Sequence, residues 1–180
     1  MTFFELIKEL IVDTETTGLS VKADRIIELA AIELIDGRRT GRTFRSYFNP
    51  WPVNVSKGAF GIHGISNEFL KDKPRFKEGI RGFLDLAEGH ELIAHNAKFD
   101  SEIIDCELQR CGMKPLTKGR WYDTLKLAKK IYPRFSNSLA NLRKRFKIND
   151  FGRAHDALRD CEVLLKVYET LLAEDRKNLF

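Results

Sequence analysis

The hydrophobic pattern opens with Leu10-Ile11-Val12, a continuous apolar run that ends on Asp13. A short run of this kind predicts a central strand covered on both faces. A turn at Thr16-Thr17-Gly18 follows, and residues from about Ile26 to Ile35 predict a second strand, broken by Gly37. Residues Thr43 to Phe48 alternate less cleanly and read as a third strand, stopped by Pro50 and Pro52. Short connections make these three a meander. Ser66 with Glu68 to Leu70 reads as an N-cap and a helical turn, and Phe76, Ile80, Phe83, Leu84 and Ala87 recur at helical spacing. A strand is expected at Glu91–His95, a helix from about Ala97 to Arg110, and helical stretches near Thr124–Ile131, from Leu139, and finally to about Ala173. Strands first, then helices alternating with a strand, imply an α/β fold with a mixed sheet flanked by helices. At 180 residues without a linker or repeat, the chain is expected to be a single domain.

Within that pattern some acids are out of phase. On the helix containing Asp100, the positions below it are Ile104, Leu108 and Cys111, so Asp100 sits in the apolar stripe. Glu102 and Asp105 are controls on a more polar side. In the last helix, Asp160 shares its stripe with Ala157, Leu164, Val167 and Leu171, whereas Glu162 leads to Lys166 and Glu169. Asp13 and Glu15, two apart at the end of the first strand, point to one face of the sheet, with Thr14 on the other. Four acids can then converge at one sheet edge. Two carboxylates ~6 Å apart repel by roughly 3 kcal/mol at an effective dielectric of ~20. Six such pairs approach about 15 kcal/mol, comparable to the whole stability of a domain. Such a cluster requires cations, and all-oxygen ligands select hard divalent ions such as Mg²⁺ or Mn²⁺. A single buried salt bridge or a helix cap is the alternative for Asp100 or Asp160 taken alone. His155, five residues before Asp160, lies about 140° from it on a regular helix. If both serve one site, His155 precedes the helix, with Asp156 near its N-cap.

Charge adds a direction. The net is +5 from 31 Lys+Arg and 26 Asp+Glu. Between Arg110 and Arg159, 14 Lys/Arg stand against Asp123, Asp150 and Asp156, a local net of +11. A one-sided basic field suits a polyanion, nucleic acid before an anionic membrane surface. Cys106, Cys111 and Cys161 lack the spacing of a zinc site or a disulfide framework. Residues 1–12 carry Glu5, Lys8 and Glu9, unlike a signal peptide, and no apolar run reaches ~18 residues. The expectation is a cytoplasmic protein without membrane contact.

Three segments, Asp13-Thr-Glu-Thr-Thr-Gly18, His95-Asn-Ala-Lys-Phe-Asp100 and His155-Asp-Ala-Leu-Arg-Asp160, resemble in order and spacing the three exonuclease motifs of the DEDDh family over about residues 8–173. Phe60-Gly-Ile-His-Gly-Ile-Ser66, followed by Glu68-Phe-Leu-Lys-Asp-Lys-Pro74, resembles the epsilon-type proofreading branch that serves bacterial DNA polymerase III. The resemblance implies an RNase H-like, five-stranded mixed sheet and two divalent metal ions. It implies that Asp13 bridges the ions, that Glu15 and Asp160 complete one site, and that Asp100 holds the waters of the other. His155 would take the proton from the attacking water, and Ala157 stands where a sister class has tyrosine. Thr16, Leu19, Ile62, His63, Asn96 and Phe99 would hold the terminal nucleotide. The implied activity is removal of nucleoside 5′-monophosphates from single-stranded 3′ ends of DNA, in proofreading or repair, with RNA ends as the alternative substrate. A silent module that binds 3′ ends or a polymerase is disfavoured, since all five catalytic positions are filled. The polymerase alpha subunit is an implied partner, although the branch's C-terminal tether is not found before Phe180. Asp123 is expected to hold the start of the next helix. Arg143, Lys144, Arg145 and Lys147 could track phosphates or meet a protein.

Overall fold

The computed structural model describes residues 5–116, 120–149 and 156–177. The expected first strand is β1, Lys8–Thr16, the middle of a five-stranded sheet. It pairs antiparallel with β2, Ile26–Ile35, which pairs antiparallel with β3, Arg38–Tyr47. On its other edge β1 runs parallel to β4, Glu91–Ala94, and β4 parallel to β5, Trp121–Asp123. The order is β3-β2-β1-β4-β5, the mixed sheet expected.

β3 begins five residues before the alternation suggested. Asp36 and Gly37 both adopt positive φ, 50° and 71°, and Ile35 pairs directly with Arg38. This is a two-residue hairpin turn, which Asp-Gly favours because both positions tolerate the left-handed region. The early part of β3 is exposed, so it carries no hydrophobic alternation to read.

The helices are α1 Lys57–His63, α2 Asn67–Leu70, α3 Phe76–Gly79, α4 Arg81–Ala87, α5 Ala97–Arg110, α6 Thr124–Ile131, α7 Leu139–Arg145 and α8 Ala157–Lys177. The apolar run from Phe76 to Ala87 is therefore two short helices meeting at Ile80. The sequence pattern does not predict α1, because Gly58 and Gly61 lower its propensity. It is set by Ser56, which accepts the Ala59 N–H, and closed by Gly64 at φ 67°.

Alternation along β1 divides the core. Leu10 and Val12 face α3, α4 and α5, packing with Phe48, Phe83, Ile103, Ile104 and Leu108. Ile11 faces α8, packing with Ala30, Ile32, Ile93, Ala157, Cys161 and Leu164. The outer face of α8 then holds α6 and α7 through Leu127, Ala128, Leu142, Val163, Val167 and Leu171. Among the described residues no helix is long and apolar enough to cross a membrane.

Candidate active site

Because Asp13 and Glu15 continue the phase of Ile11, they emerge on the α8 face where β1 ends. Asp160 lies in the first turn of α8 and reaches the same place. One carboxylate oxygen from each of Asp13, Glu15 and Asp160 lies within 4.8 Å of the others. Asp100 comes from the opposite face. It is buried in the first turn of α5, and the Thr14 hydroxyl donates to its Oδ1 at 2.8 Å. The four expected acids thus meet as three plus one, from the two sides of β1.

Packed this closely and buried, the acids each bind their own proton more tightly. Burial first, then Asp100, Glu15, Asp160 and Glu28, hold the Asp13 carboxyl well above the usual range. Burial and then Asp160 push Glu15 up to about 8. Burial pushes Asp100 up to about 7, against the hydrogen bond from Thr14. On Asp160 the guanidinium of Arg159 lies at 3.5 Å through Nη1.

Glu107 supplies the contrast. It lies seven residues along α5 from Asp100 and is fully buried, yet it is neutralised. Arg25 grips both of its oxygens at 2.5 and 2.9 Å, Arg110 Nη1 lies at 3.2 Å, and the Ile26 N–H donates at 3.3 Å. A buried acid with its own cations is structural. Converging carboxylates that raise one another's pKa fit a hard ion, since their donors are all oxygen.

Sequence reasoning missed a further acid. Glu28 pairs with Glu15 across the β1–β2 ladder and is fully buried. Arg45 reaches it at 2.7 Å and also pairs with Asp156. The Ala157 N–H donates to Glu28 at 3.3 Å, and the Arg159 N–H donates to Asp156 at 3.1 Å. Asp156 therefore caps α8 as expected, and Glu28 and Arg45 fasten that cap to the sheet. Burial raises the Glu28 pKa, and Arg45 opposes the rise. The signal was present: an acid inside the apolar run Ile26-Ile-Glu-Leu-Ala30.

Beside the acids lies a cavity of about 630 Å³, lined by Thr14, Glu15, Thr16, Leu19, Ile62 and Phe99 among others. Leu19 is 86% and Ile62 55% exposed. Both project outward rather than filling core, whereas Phe99 is partly buried against the main core. The turn carrying Leu19 is tight: a Cβ on Gly18 would lie 2.6 Å from the Asp24 carboxylate, which itself holds Thr17 Oγ1 and the Ser20 N–H. His63 and Asn96 do not share this wall. His63 is buried beneath it; Nδ1 accepts the Ile65 N–H at 3.0 Å, so Nε2 carries the proton towards the Thr16 carbonyl at 3.2 Å. Asn96, at φ 71°, is the exposed residue that starts α5, where asparagine tolerates the left-handed region. Its N–H donates to Asp123 Oδ1, which also accepts the Leu125 N–H and so caps α6 as expected. His155 lies outside the described residues.

Comparison with known proteins agrees with this arrangement. A family model described as Exonuclease, of the RNase T type, matches residues 10–168. The DNA polymerase III subunit epsilon of Rickettsia conorii is 42% identical over 171 residues, covering 92% of this chain and 74% of the relative. That of Escherichia coli K12 is 39% identical over 170 residues, covering 89% and 70%. Among solved structures, exonuclease X in complex with 5′ overhanging duplex DNA superposes with a TM-score of 0.72 at 29% identity, covering 91% of this chain and 90% of that one. E. coli exonuclease I in complex with a dT13 oligonucleotide has the same fold, with a TM-score of 0.85 at 20% identity over 96% of this chain and 42% of that one.

Proposed function

The chain belongs to the exonuclease family that its residues 10–168 match, and from that premise we propose that it is a metal-dependent 3′→5′ exonuclease of the proofreading type, one catalytic domain acting on single-stranded 3′ ends of DNA. The observation that carries the reading is the meeting of Asp13, Glu15 and Asp160 within 4.8 Å, with Asp100 behind them and a nucleotide-sized cavity alongside.

In this reading Asp13 would help hold two hard ions, Mg²⁺ or Mn²⁺. Glu15 and Asp160 would complete the first site, and Asp100, whose charged form the Thr14 hydrogen bond favours, would orient water at the second. Bound there, such ions lower the pKa of a water and neutralise charge on the attacked phosphate. His155 would accept the proton of the attacking water, a role suited to a group titrating near neutral pH. Leu19, Ile62 and Phe99 cover the faces of the terminal base and sugar, which asks for no particular sequence. Thr16 borders the same cavity. His63 fixes the Thr16 carbonyl, and Asn96 sets the start of α5, so both act on the pocket from behind. The relatives' name supports association with a polymerase III catalytic subunit. Exonuclease X, solved in complex with duplex DNA, supports DNA as substrate over RNA.

The test uses 3′-labelled and 5′-labelled single strands of DNA and RNA with Mg²⁺, Mn²⁺ or chelator. Release of mononucleotides from the 3′ end of DNA, dependent on metal, is expected. Release from the 5′ end, or full activity in chelator, overturns the reading. A clear preference for RNA ends transfers the same chemistry to the alternative substrate.

A further inference from the structure

The loop between α6 and α7 carries Phe135, which is 62% exposed yet firmly supported. The guanidinium of Arg145 lies 4.5 Å from the centroid of its ring and 4.5 Å from that of Tyr132. The two rings meet edge to face at 6.5 Å. Beneath them Asn137 is buried, donating from Nδ2 to the carbonyls of Tyr132 and Phe135 at 2.9 and 3.1 Å.

The loop is anchored at the catalytic rim. β4 runs parallel to β1, so His95, the residue after β4, emerges at the end of the sheet where Asp13 and Glu15 stand. His95 Nε2 donates to the Asn137 carbonyl at 2.8 Å.

The surroundings are strongly cationic. α7 ends on Arg143, Lys144 and Arg145, Arg134 precedes Phe135, and the whole stretch lies in the segment of local net charge +11. An apolar protein surface gains nothing from that field, and a lone ring offers a lipid surface far less apolar area than the face of an amphipathic helix. A single-stranded polynucleotide uses both, laying a base on the ring and its phosphates along the cations.

We propose that Phe135, held by Arg145 and Tyr132, is a stacking platform for a nucleotide upstream of the 3′ end. The inference rests on the exonuclease reading for the direction of the strand. The platform retains the strand and takes no part in bond breaking.

The experiment compares Phe135→Ala and Phe135→Trp with the unsubstituted chain on two substrates: the p-nitrophenyl ester of thymidine 5′-monophosphate, which fills only the terminal pocket, and a single strand of about ten nucleotides. Binding of the longer strand is measured separately by fluorescence anisotropy in chelator. Phe135→Ala is expected to raise KM for the strand roughly tenfold, as base–aromatic stacking implies, with kcat and ester hydrolysis unchanged, and to weaken anisotropy binding by a similar factor. Phe135→Trp is expected to restore both. Equal kinetics and binding for Phe135→Ala and the unsubstituted chain overturn the platform and leave the face to a protein partner. Equal losses on ester and strand also overturn it, by making Phe135 part of the catalytic fold. Binding that depends on Phe135 in a chain that cleaves neither substrate sinks the exonuclease reading while the platform stands.

Discussion

The hydroxyl of Thr14 donates to Asp100 Oδ1 at 2.8 Å, on the α5 side of β1. It joins the acid that lies on the α5 side to the strand that carries two of the others. The bond favours the ionised form of a carboxyl that burial pushes up to about 7. Replacing Thr14 with Val keeps the shape and removes the donor. A hydrogen bond to a charged group contributes about 1.5–3 kcal/mol, so metal-dependent cleavage is expected to fall roughly tenfold to a hundredfold. The acidic limb of the pH–rate profile should move to higher pH, and Thr14→Ser should recover both. An unmoved limb in Thr14→Val would separate Thr14 from the chemistry.

Stability should depend on pH in an unusual direction. Glu15 rises from 4.5 to about 8 and Asp100 from 3.8 to about 7. Each carboxyl therefore binds more protons folded than unfolded over that window, and stability falls as pH rises through it. In chelator, the midpoint of thermal unfolding is expected to drop steadily between about pH 5 and 8, and Mg²⁺ should cancel the drop. Asp13→Asn removes one of the repelling charges, so it should flatten the slope in chelator while abolishing cleavage. A midpoint independent of pH in chelator would contradict the clustered-charge account.

Glu107 and Asp100 share one face of α5 but should respond oppositely to loss of charge. Glu107 is fully buried and holds Arg25 and Arg110. Glu107→Ala leaves Arg25 without its partner and is expected to cost about 3–5 kcal/mol in urea unfolding. Asp100→Asn should be neutral or stabilising in chelator and inactive with metal. Equal destabilisation by both would mean that Asp100 is an ordinary structural acid.

Arg45 ties Glu28 to Asp156. Arg45→Ala strands the buried Glu28. Since Arg45 is itself about one-third exposed, the expected loss is near ~2 kcal/mol, below the ~3–5 typical of a fully buried pair. Activity should fall further than stability does at temperatures where the variant remains folded, because the start of α8, which carries Asp160, loses the Asp156–Arg45–Glu28 tie and is left with the Ala157 N–H bond to Glu28. Full kcat in the folded variant would limit the network to stability.

His155→Ala is expected to slow hydrolysis by roughly 10²–10⁴ with metal binding retained. Isothermal titration with Mn²⁺ distinguishes the roles: loss of Mn²⁺ binding would make His155 a ligand rather than a base.

Much of this site is legible in the sequence. Helical phase singles out Asp100 and Asp160, because an acid at a position otherwise filled by Ile, Leu and Val conflicts with burial. Strand alternation pairs Asp13 with Glu15. The same logic applied to β2 finds Glu28, which interrupts a run of buried Ile, Leu and Ala. Other features leave no local trace. Arg45 lies on a strand whose first half is exposed, and its partners are 17 and 111 residues away. The wall of the cavity beside the acids is likewise set by tertiary packing, since Leu19, Ile62 and Phe99 line it while His63 and Asn96 lie behind it through their hydrogen bonds.

Taken alone, the order of residues determined four of the five described strands and most of the helices, the four acids that do not belong on apolar faces, and the basic segment, since each follows from side-chain periodicity and charge that neighbours in the chain already express; β5, only Trp121–Asp123, is too short to show a period. Tertiary structure alone decided that Asp100 reaches the rim from the opposite side of β1 to Asp13, Glu15 and Asp160. It also decided that Glu107 meets two arginines, while Asp13 and Glu15 chiefly meet other carboxylates. Those outcomes depend on which charge lies within reach across the packed sheet, a distance that sequence separation does not encode.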